Sequence, residues 1–421
     1  MTTNAPVKDQ TVPHDSARIV PARTEEARIE DLAAHLRTHF DVAAADIRVV
    51  RAPLRICPLG AHIDHQLGVV TGLTVDQSLL LAFAPTDDGT VALDSLNFPG
   101  RVSFSLDDVP PRQPGDWGNY LRGAVLALRQ RYTLRRGMVG VIASDMPVGG
   151  LSSSAAVIIA YLLALQSVNE LEVTPHANID LVTATEHGYI GLNNGILDQA
   201  SELFSRPNTL TRIDCRTTEI ERIPAGFTED YAWLVVYSGV TESLVGTDYN
   251  RRVEECRQAA EFLLDAAGAP RPTDPRLRLV DPAVYVDHGH RLPAPLDRRA
   301  AHFFGEMARV AQGVDAWRAG DLRAFGDQIN ASGASSIGKY ECGSPPLVSL
   351  VEILRDAPGV YGTRFSGAGF RGNCIALIDP RAADDIAAAV HAAYPQRHPE
   401  VADRYSIHLC RPDGAATLID F

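Results

Sequence analysis

Pro147-Val148-Gly149-Gly150-Leu151-Ser152-Ser153-Ser154-Ala155-Ala156 is the stretch on which the reading of this chain turns. Its adjacent glycines permit a tight turn and a close backbone approach to a ligand. The serines stand where a helix should begin near Ser152 and run to about Val168. One serine suffices to cap the free N–H groups of a helix. Those N–H groups, together with the helix dipole, form a ready anion site. The apolar run Ala155–Leu165 then buries the helix and fixes its position. That run is far short of the ~20 residues a membrane span needs. The competing reading is a well-capped core helix with no ligand.

Two other glycine patterns compete for the role of phosphate loop. Gly333-Ala-Ser-Ser-Ile-Gly338-Lys339-Tyr340 nearly spells a Walker A loop, but it has tyrosine where that loop needs a serine or threonine. The preceding Leu322–Ala331 reads as helix, not as the strand such a loop follows. Gly367-Ala368-Gly369-Phe370-Arg371-Gly372 matches a dinucleotide fingerprint in letters. That fingerprint must open a helix, whereas Asn373–Asp379 reads as a strand. A glycine turn between two strands, closing over something bound, fits better than a nicotinamide site.

Composition sets the outer bounds. The chain has 421 residues, 45% of them hydrophobic and 22% charged, which fits a globular protein of two or three domains. Acids outnumber bases by 52 to 39, giving a net charge of −13 and arguing against a general nucleic-acid binder. A small anionic substrate needs only a few local cations and stays open. The cysteines (57, 215, 256, 342, 374 and 410) are scattered, with no zinc or disulfide spacing. A reducing cytoplasm is the simplest compartment. The first twenty residues lack an apolar core, so no signal peptide is read.

Residues 1–23 read as a flexible, solvated tail. An amphipathic helix is predicted over Glu25–Phe40, with Ile29, Leu32, Leu36 and Phe40 on one side. Short strands follow at Ile47–Arg51, Val69–Val75, Leu79–Ala84 and Val91–Ser95. Further helices are predicted at Trp117–Arg131, Ile179–Leu192, Arg298–Ala319, Leu322–Ala331 and Ala382–Ala393. Strands are expected at Val139–Ala143, Gly362–Phe365, Cys374–Ile378 and Ser406–Cys410. The proline-rich Pro270–Pro275 and Leu292–Leu296 bracket a less regular insertion. Strands and helices mix without strict alternation, which indicates an α+β fold.

A third element completes the pattern. Ala52-Pro53-Leu54-Arg55-Ile56-Cys57-Pro58-Leu59-Gly60-Ala61-His62-Ile63-Asp64-His65 crowds polar residues into a turn after a strand. With the serine loop and the late glycine turn, it resembles the GHMP small-molecule kinase superfamily, in the order and spacing of its galactokinase branch. Trp117-Gly-Asn-Tyr120 resembles that branch's Trp-x-Asn-Tyr helix start. Glu186-His187 followed by Gly195-Ile-Leu-Asp198-Gln199 resembles its catalytic segment. Tyr249-Asn-Arg-Arg252 with Glu255-Cys256 resembles its sugar-contact segment. Segments 57–65, 194–199 and 365–371 are similar in wording to the members that phosphorylate galacturonate. The likeness runs from about Arg51 to near the C-terminus. The serine loop is one residue shorter than the usual family form.

The resemblance implies two domains. One is an N-terminal domain of ribosomal-protein-S5-like topology over residues 24–225. The other is a C-terminal ferredoxin-like domain over 226–421, with the site in the cleft between them. It implies ATP as co-substrate and Mg²⁺. Gly149, Gly150, Leu151, Ser152, Ser153 and Ser154 would hold the ATP phosphates, with Ser154 and Glu186 on the metal, since magnesium takes hard oxygen ligands. Asp198 would be the base toward the sugar's anomeric hydroxyl, and Arg55 would pair with it and with the transferring phosphoryl group. Asp64, His62, Gly195 and Tyr249 match sugar-contact positions. Gly367 and Gly369 belong to the turn near the cleft. Asn97 and its neighbours stand, by position along the chain, where an adenine pocket would lie. The segment His62-Ile-Asp64-His65 can alternatively be read as a metal site, although no distant Cys/His cluster completes it.

Two departures bear on the substrate. Galactokinases resemble one another in carrying glutamate at the position of Ala61, where it accepts a hydrogen bond from the C6 hydroxyl. Were C6 a carboxylate, that glutamate would set two like charges together. Alanine removes the penalty and makes space. A different pose, or a pentose, also tolerates a small residue. Arg371 stands where galactokinases have glycine, and its guanidinium suits either the sugar carboxylate or the ATP phosphates. Arg252 and His65 are weaker candidates for the carboxylate. The expectation is a sugar-1-kinase acting on D-galacturonic acid as a monomer or homodimer, without nucleic-acid or membrane partners. The alternatives are a kinase of galactose or arabinose, or a galactokinase-like sensor of sugar and ATP.

Overall fold

The computed structural model describes residues 19–147, 151, 153–240 and 248–419. Val148, Gly149, Gly150 and Ser152 of the serine loop, and most of the expected N-terminal tail, lie outside the described residues. The first half of the chain contains α1 (Glu25–Phe40), β1 (Arg48–Ile56), β2 (Val69–Thr86), β3 (Thr90–Ser95), β4 (Arg101–Ser105), α2 (Asn119–Arg129), β5 (Gly137–Ser144), α3 (Ser153–Val168), α4 (Pro175–Thr183), α5 (Leu197–Phe204), β6 (Thr209–Asp214) and β7 (Glu219–Pro224). The second half contains β8 (Ala232–Tyr237), α6 (Tyr249–Ala266), α7 (Pro282–His288), α8 (Leu296–Ala319), α9 (Leu322–Ser335), α10 (Pro345–Asp356), β9 (Val360–Ser366), β10 (Asn373–Ile378), α11 (Ala383–Arg397), β11 (Ser406–Cys410) and β12 (Thr417–Ile419).

Among the described residues the strands form two sheets. The first runs β12-β1-β2-β5-β3-β4, and β6 and β7 continue from the first part of β2. Its β3–β5 pair is parallel. The alternation of β2 explains its two faces. Leu79, Leu81 and Phe83 enter the main core, whereas Leu80 and Ala82 pack with Ile29, Leu32 and Leu36 of α1. β2 is one long strand, not the two short ones that the polar Asp76-Gln77-Ser78 suggest. Those residues do not break it, because Arg28 of α1 donates to the Ser78 carbonyl at 2.5 Å and to its hydroxyl at 3.1 Å. α3 is apolar on nearly every side and sits inside the core. The last strand, β12, returns to pair with β1, so the first sheet draws on both ends of the chain.

The second sheet runs β11-β8-β10-β9 and is antiparallel throughout. Counted within this half, the strand order is 4-1-3-2, the ferredoxin-like arrangement. The two central strands, β8 and β10, are buried along their whole length. Gly367–Gly372 forms the turn between antiparallel β9 and β10, and Gly367 and Gly369 take φ of +84° and +82°. The Walker-like segment is helical: α9 runs into a π-helical turn over Ser336–Tyr340. Among the described residues no helix is long and apolar enough to cross a membrane. The six cysteines are free and buried.

The two halves meet along α8 and β9. Glu306 of α8 accepts from the Gly60 backbone N–H at 2.9 Å and from the Ser332 hydroxyl at 2.9 Å. His302 is buried, and burial lowers its pKa to about 4, so the ring is neutral near pH 7. It therefore donates through Nε2 to the Ala61 carbonyl at 2.9 Å and accepts from Ser335 at Nδ1 at 2.9 Å.

Strand β9 is held against α9 by glycine-to-backbone contact. A Cβ on Gly326 would fall 2.3 Å from the Tyr361 carbonyl oxygen, and one on Gly362 would fall 2.2 Å from the Gly326 carbonyl oxygen. Backbone atoms cannot swing aside, so Gly326→Ala should cost about 3 kcal/mol, as overpacking does. A cavity-free control is Gly338→Ala, where nothing lies within 4 Å. Urea unfolding should show a lower midpoint for the first and no loss for the second; equal midpoints would contradict this close packing.

Candidate active site

Arg55 stands near the end of β1 and is only 3% exposed. Its Nε and Nη2 lie 2.7 and 2.5 Å from Asp198 Oδ1, and its Nη1 lies 3.3 Å from the Ser366 hydroxyl of β9. The Ser366 oxygen also accepts from the Cys57 backbone N–H at 3.4 Å. One residue of the second half therefore braces both the arginine and the turn after it. Burial opposes a charge on Arg55, but Asp198 more than offsets this and holds the guanidinium pKa above its ordinary value. Asp198 lies in the first turn of α5, where the helix dipole favours a negative charge.

Three more carboxyls share this space. Burial, and then the field of Asp198, push the Asp64 pKa up to about 6. The same two causes push Glu186 up to about 8. Glu186 sits in a π-helical turn, Ala184–Ile190, which interrupts the helix expected to run on to Leu192. Asn194 donates to its Oε2 at 2.8 Å, and its Oε1 has no hydrogen-bond partner among the described residues. Glu202, one turn beyond Asp198, is fully buried, and neither oxygen has a hydrogen-bond partner among the described residues. Burial, and then Asp198, hold its pKa well above the ordinary value. Sequence reasoning missed Glu202; its spacing of four from Asp198 on a short helix was the available signal.

The structure brings Arg55, Asp64, Glu186, Gly195, Asp198 and Tyr249 together. A Cβ on Gly195 would lie 2.6 Å from both Cβ and Oδ2 of Asp64, so only glycine permits that approach. The half-buried Tyr249 phenol has its pKa raised by burial and by Asp64, Asp198 and Glu186, which places it beside the same carboxyls. His62 turns away. With φ of +61°, its ring is buried, stacks on Tyr340 at 4.6 Å and lies 3.3 Å from the Cys342 sulfur. His65 is 3.0 Å from the Tyr340 hydroxyl. Both rings are thus engaged apart from Asp64, and no group of three metal-ligating side chains occurs among the described residues. Ala61 is buried, with its carbonyl held by His302.

Other expected residues lie on a second side. Leu151 is buried, and Ser153 and Ser154 open α3 half-buried. Arg371 is half-buried, and its Nε has no partner. Burial lowers its pKa, and the phenols Tyr237 and Tyr120 partly restore it. The charges of Glu186 and Arg371 both act on Tyr120, after burial, the first raising and the second lowering its pKa. The Asn97 amide is spent on Ser144, donating to its carbonyl and accepting from its N–H at 2.8 Å each.

Comparison with known proteins places the chain in a family. Residues 119–206 match the GHMP kinases N terminal domain, and residues 314–396 match the GHMP kinases C terminal domain. The chain is 43% identical over 399 residues to the galacturonokinase of Arabidopsis thaliana, across 89% of this chain and 94% of that protein. It is 33% identical to the galactokinase of Roseiflexus sp. (strain RS-1), across 88% of this chain and 93% of that protein. The crystal structure of Lactococcus lactis galactokinase complexed with galactose superposes with a TM-score of 0.85 at 27% identity, covering 93% of this chain and 99% of that one. The Methanococcus jannaschii mevalonate kinase shares the fold, with a TM-score of 0.62 at 15% identity, covering 86% of this chain and 98% of that one. The chain belongs to the GHMP kinase family. Within that family it is a sugar kinase of the galactokinase-like branch, with ATP as co-substrate.

The raised carboxyl pKa values have a consequence for stability. Each exceeds the unfolded value of about 4, so these groups stabilise the fold fully only below that pH. Their contribution is lost as pH rises through about 6 for Asp64 and about 8 for Glu186. The buried His65 and His302, lowered to about 3 and about 4, act oppositely: their contribution is present above about 6.5 and lost as pH falls. Glu186→Gln, measured without nucleotide, should therefore show a flatter fall of Tm between about pH 6 and 8. Parallel wild-type and variant curves would contradict a buried, protonating Glu186.

Proposed function

We propose that this site transfers the γ-phosphoryl group of ATP to the anomeric oxygen of D-galacturonic acid, giving galacturonate 1-phosphate. The observation that carries the reading is Asp198, held by Arg55, beside a sugar loop in which residue 61 is alanine. Asp198 takes the proton from O1 as the O1–phosphorus bond forms and the bond to the ADP oxygen breaks. Arg55 pairs with that base and offsets charge on the transferring group. Asp64 and Tyr249 hold ring hydroxyls, and Gly195 leaves room for them. The 43% identity to a galacturonokinase supports the acid as substrate. A neutral sugar is the second reading, since galactokinases are also among the relatives, and Ala61 weighs against it. The intact Arg55–Asp198 pair weighs against a sensor without turnover.

The residues fit a magnesium ion. Glu186 Oε1 is buried without a partner among the described residues, and a bound cation would favour the ionised carboxylate that burial disfavours. We assign Glu186 and Ser154 to that ion, which neutralises phosphate charge when bound. Arg371 belongs to the ATP phosphates and not to C6. The serine loop from Gly149 to Ser154 cradles those phosphates with its backbone N–H groups. We divide the chain near residue 225, with β12 returning to the N-terminal domain.

ADP release with Mg·ATP on galacturonate, galactose, glucuronate and arabinose tests the substrate. Strong turnover on galacturonate with little on galactose is expected, and preference for galactose would overturn the acid. Asp198→Asn should lower kcat by about 10²–10⁴, as loss of a general base does, while ATP binding persists. A near-native rate would remove Asp198 from the mechanism.

A further inference from the structure

Arg364 is a buried cation with no ion-pair partner among the described residues. It lies in β9 at 0% exposure, and no carboxylate is within ion-pair distance among the described residues. Among the described residues its Nε and Nη1 have no hydrogen-bond partner, and Nη2 reaches only the Ser336 hydroxyl, at 3.5 Å. That distance is too long for a good hydrogen bond. The carboxylate in its field, Glu306, is already spent on Arg309 at 2.6 Å, the Gly60 N–H and Ser332. An uncompensated buried charge is strongly destabilising, so a chain that carries one needs a reason.

Its position supplies that reason. Arg364 and Ser366 are two apart on one strand and so share a face, and Ser366 touches both Arg55 and the Cys57 N–H. Ser336, which Arg364 approaches, adjoins Ser335, and Ser335 bonds the His302 ring that holds the Ala61 carbonyl. The field of Arg364 falls on Cys57 and His62, to either side of Ala61. A positive charge therefore stands behind the sugar loop where the loop carries its small residue. The other cations nearby are committed. Arg55 is held by Asp198, Arg252 by Glu255 and the carbonyls of Tyr340 and Glu341, and Arg276 by Asp274 and the His65 carbonyl.

We propose that Arg364 is the specificity-determining cation of this kinase, and that the C6 carboxylate of a bound uronic acid is the counter-charge it lacks. This rests on the uronic-acid reading above. A neutral C6 hydroxymethyl group gains little from that field, whereas a carboxylate in this poorly solvated space gains about ten- to a hundredfold in affinity.

The test measures kcat/KM for galacturonate and galactose, and Tm without sugar, in wild type, Arg364→Met, Arg364→Lys, Ala61→Glu and the double variant Ala61→Glu/Arg364→Met. Arg364→Met should keep or raise Tm, because replacing an unanswered buried charge by an apolar side chain of similar length relieves it. The galacturonate-to-galactose ratio should fall at least about tenfold, chiefly through KM for the acid. Arg364→Lys should retain part of the ratio. Ala61→Glu should raise Tm by giving Arg364 a partner, and the double variant should lose that gain. An unchanged ratio in Arg364→Met, or equal losses on both sugars, overturns the proposal. Should Arg364→Met not fold, a Tm in Ala61→Glu no higher than wild type overturns it instead. A wild type that uses galactose but not galacturonate brings down the uronic-acid reading itself, and this proposal with it, before any variant is compared.

Discussion

One arginine stands among four carboxyls, and it pairs with one of them. Arg55 pairs with Asp198, and Asp198 in turn adds to the burial that keeps Asp64, Glu186 and Glu202 reluctant to lose their protons. In a poorly solvated space, neighbouring carboxylates cannot all be charged. The pair therefore gives one carboxylate a partner, while burial comes first and the field of Asp198 second in disfavouring charge on the other three. It also requires the fold to be closed. Arg55 comes from the first sheet, Asp198 from the N-terminus of α5, and the brace on Arg55 from Ser366 of the second sheet. A cation entering beside Glu186 would find a carboxyl with one oxygen unspent.

Closure of the halves is built from small residues and neutral rings. Gly195 admits Asp64, Gly326 and Gly362 admit one another's backbone, and Ala61 leaves its carbonyl to His302. His62, His65, His302 and Tyr340 form one aromatic layer beneath the sugar loop. Burial keeps the imidazoles uncharged there, so the layer adds no competing cation near Arg55. Charge in this site is thus confined to a few groups, which is the condition under which single charges can discriminate among sugars.

Local pattern carried much of the fold. The amphipathic helix at Glu25–Phe40 and the strand at Ser406–Cys410 have the bounds their periodicity predicts. Features set by distant neighbours were not legible. β8 is apolar at every position because both faces are covered, so it shows no alternation to read. β12 exists only through its pairing with β1. β2 looks interrupted until Arg28, fifty residues away in sequence from Ser78, is seen to satisfy it. The site divides in the same way. Arg55, Asp64, Glu186, Gly195, Asp198 and Tyr249 were named from their motifs, and the structure gathers them. Glu202 offered only its spacing from Asp198 and Arg364 no such signal, since what singles them out is burial with side-chain atoms unpartnered among the described residues. His62 shared a motif with Asp64, but a left-handed backbone turns its ring into the interface.

The central claim is that this site places phosphate on the anomeric oxygen of a uronic acid. The most direct measurement is ³¹P and ¹H NMR of the product made from galacturonate and Mg·ATP. The account predicts phosphorus coupled to the anomeric proton, with the C6 carboxylate unmodified. Phosphate on any other oxygen, or ATP consumed with no phosphorylated sugar formed, would contradict it.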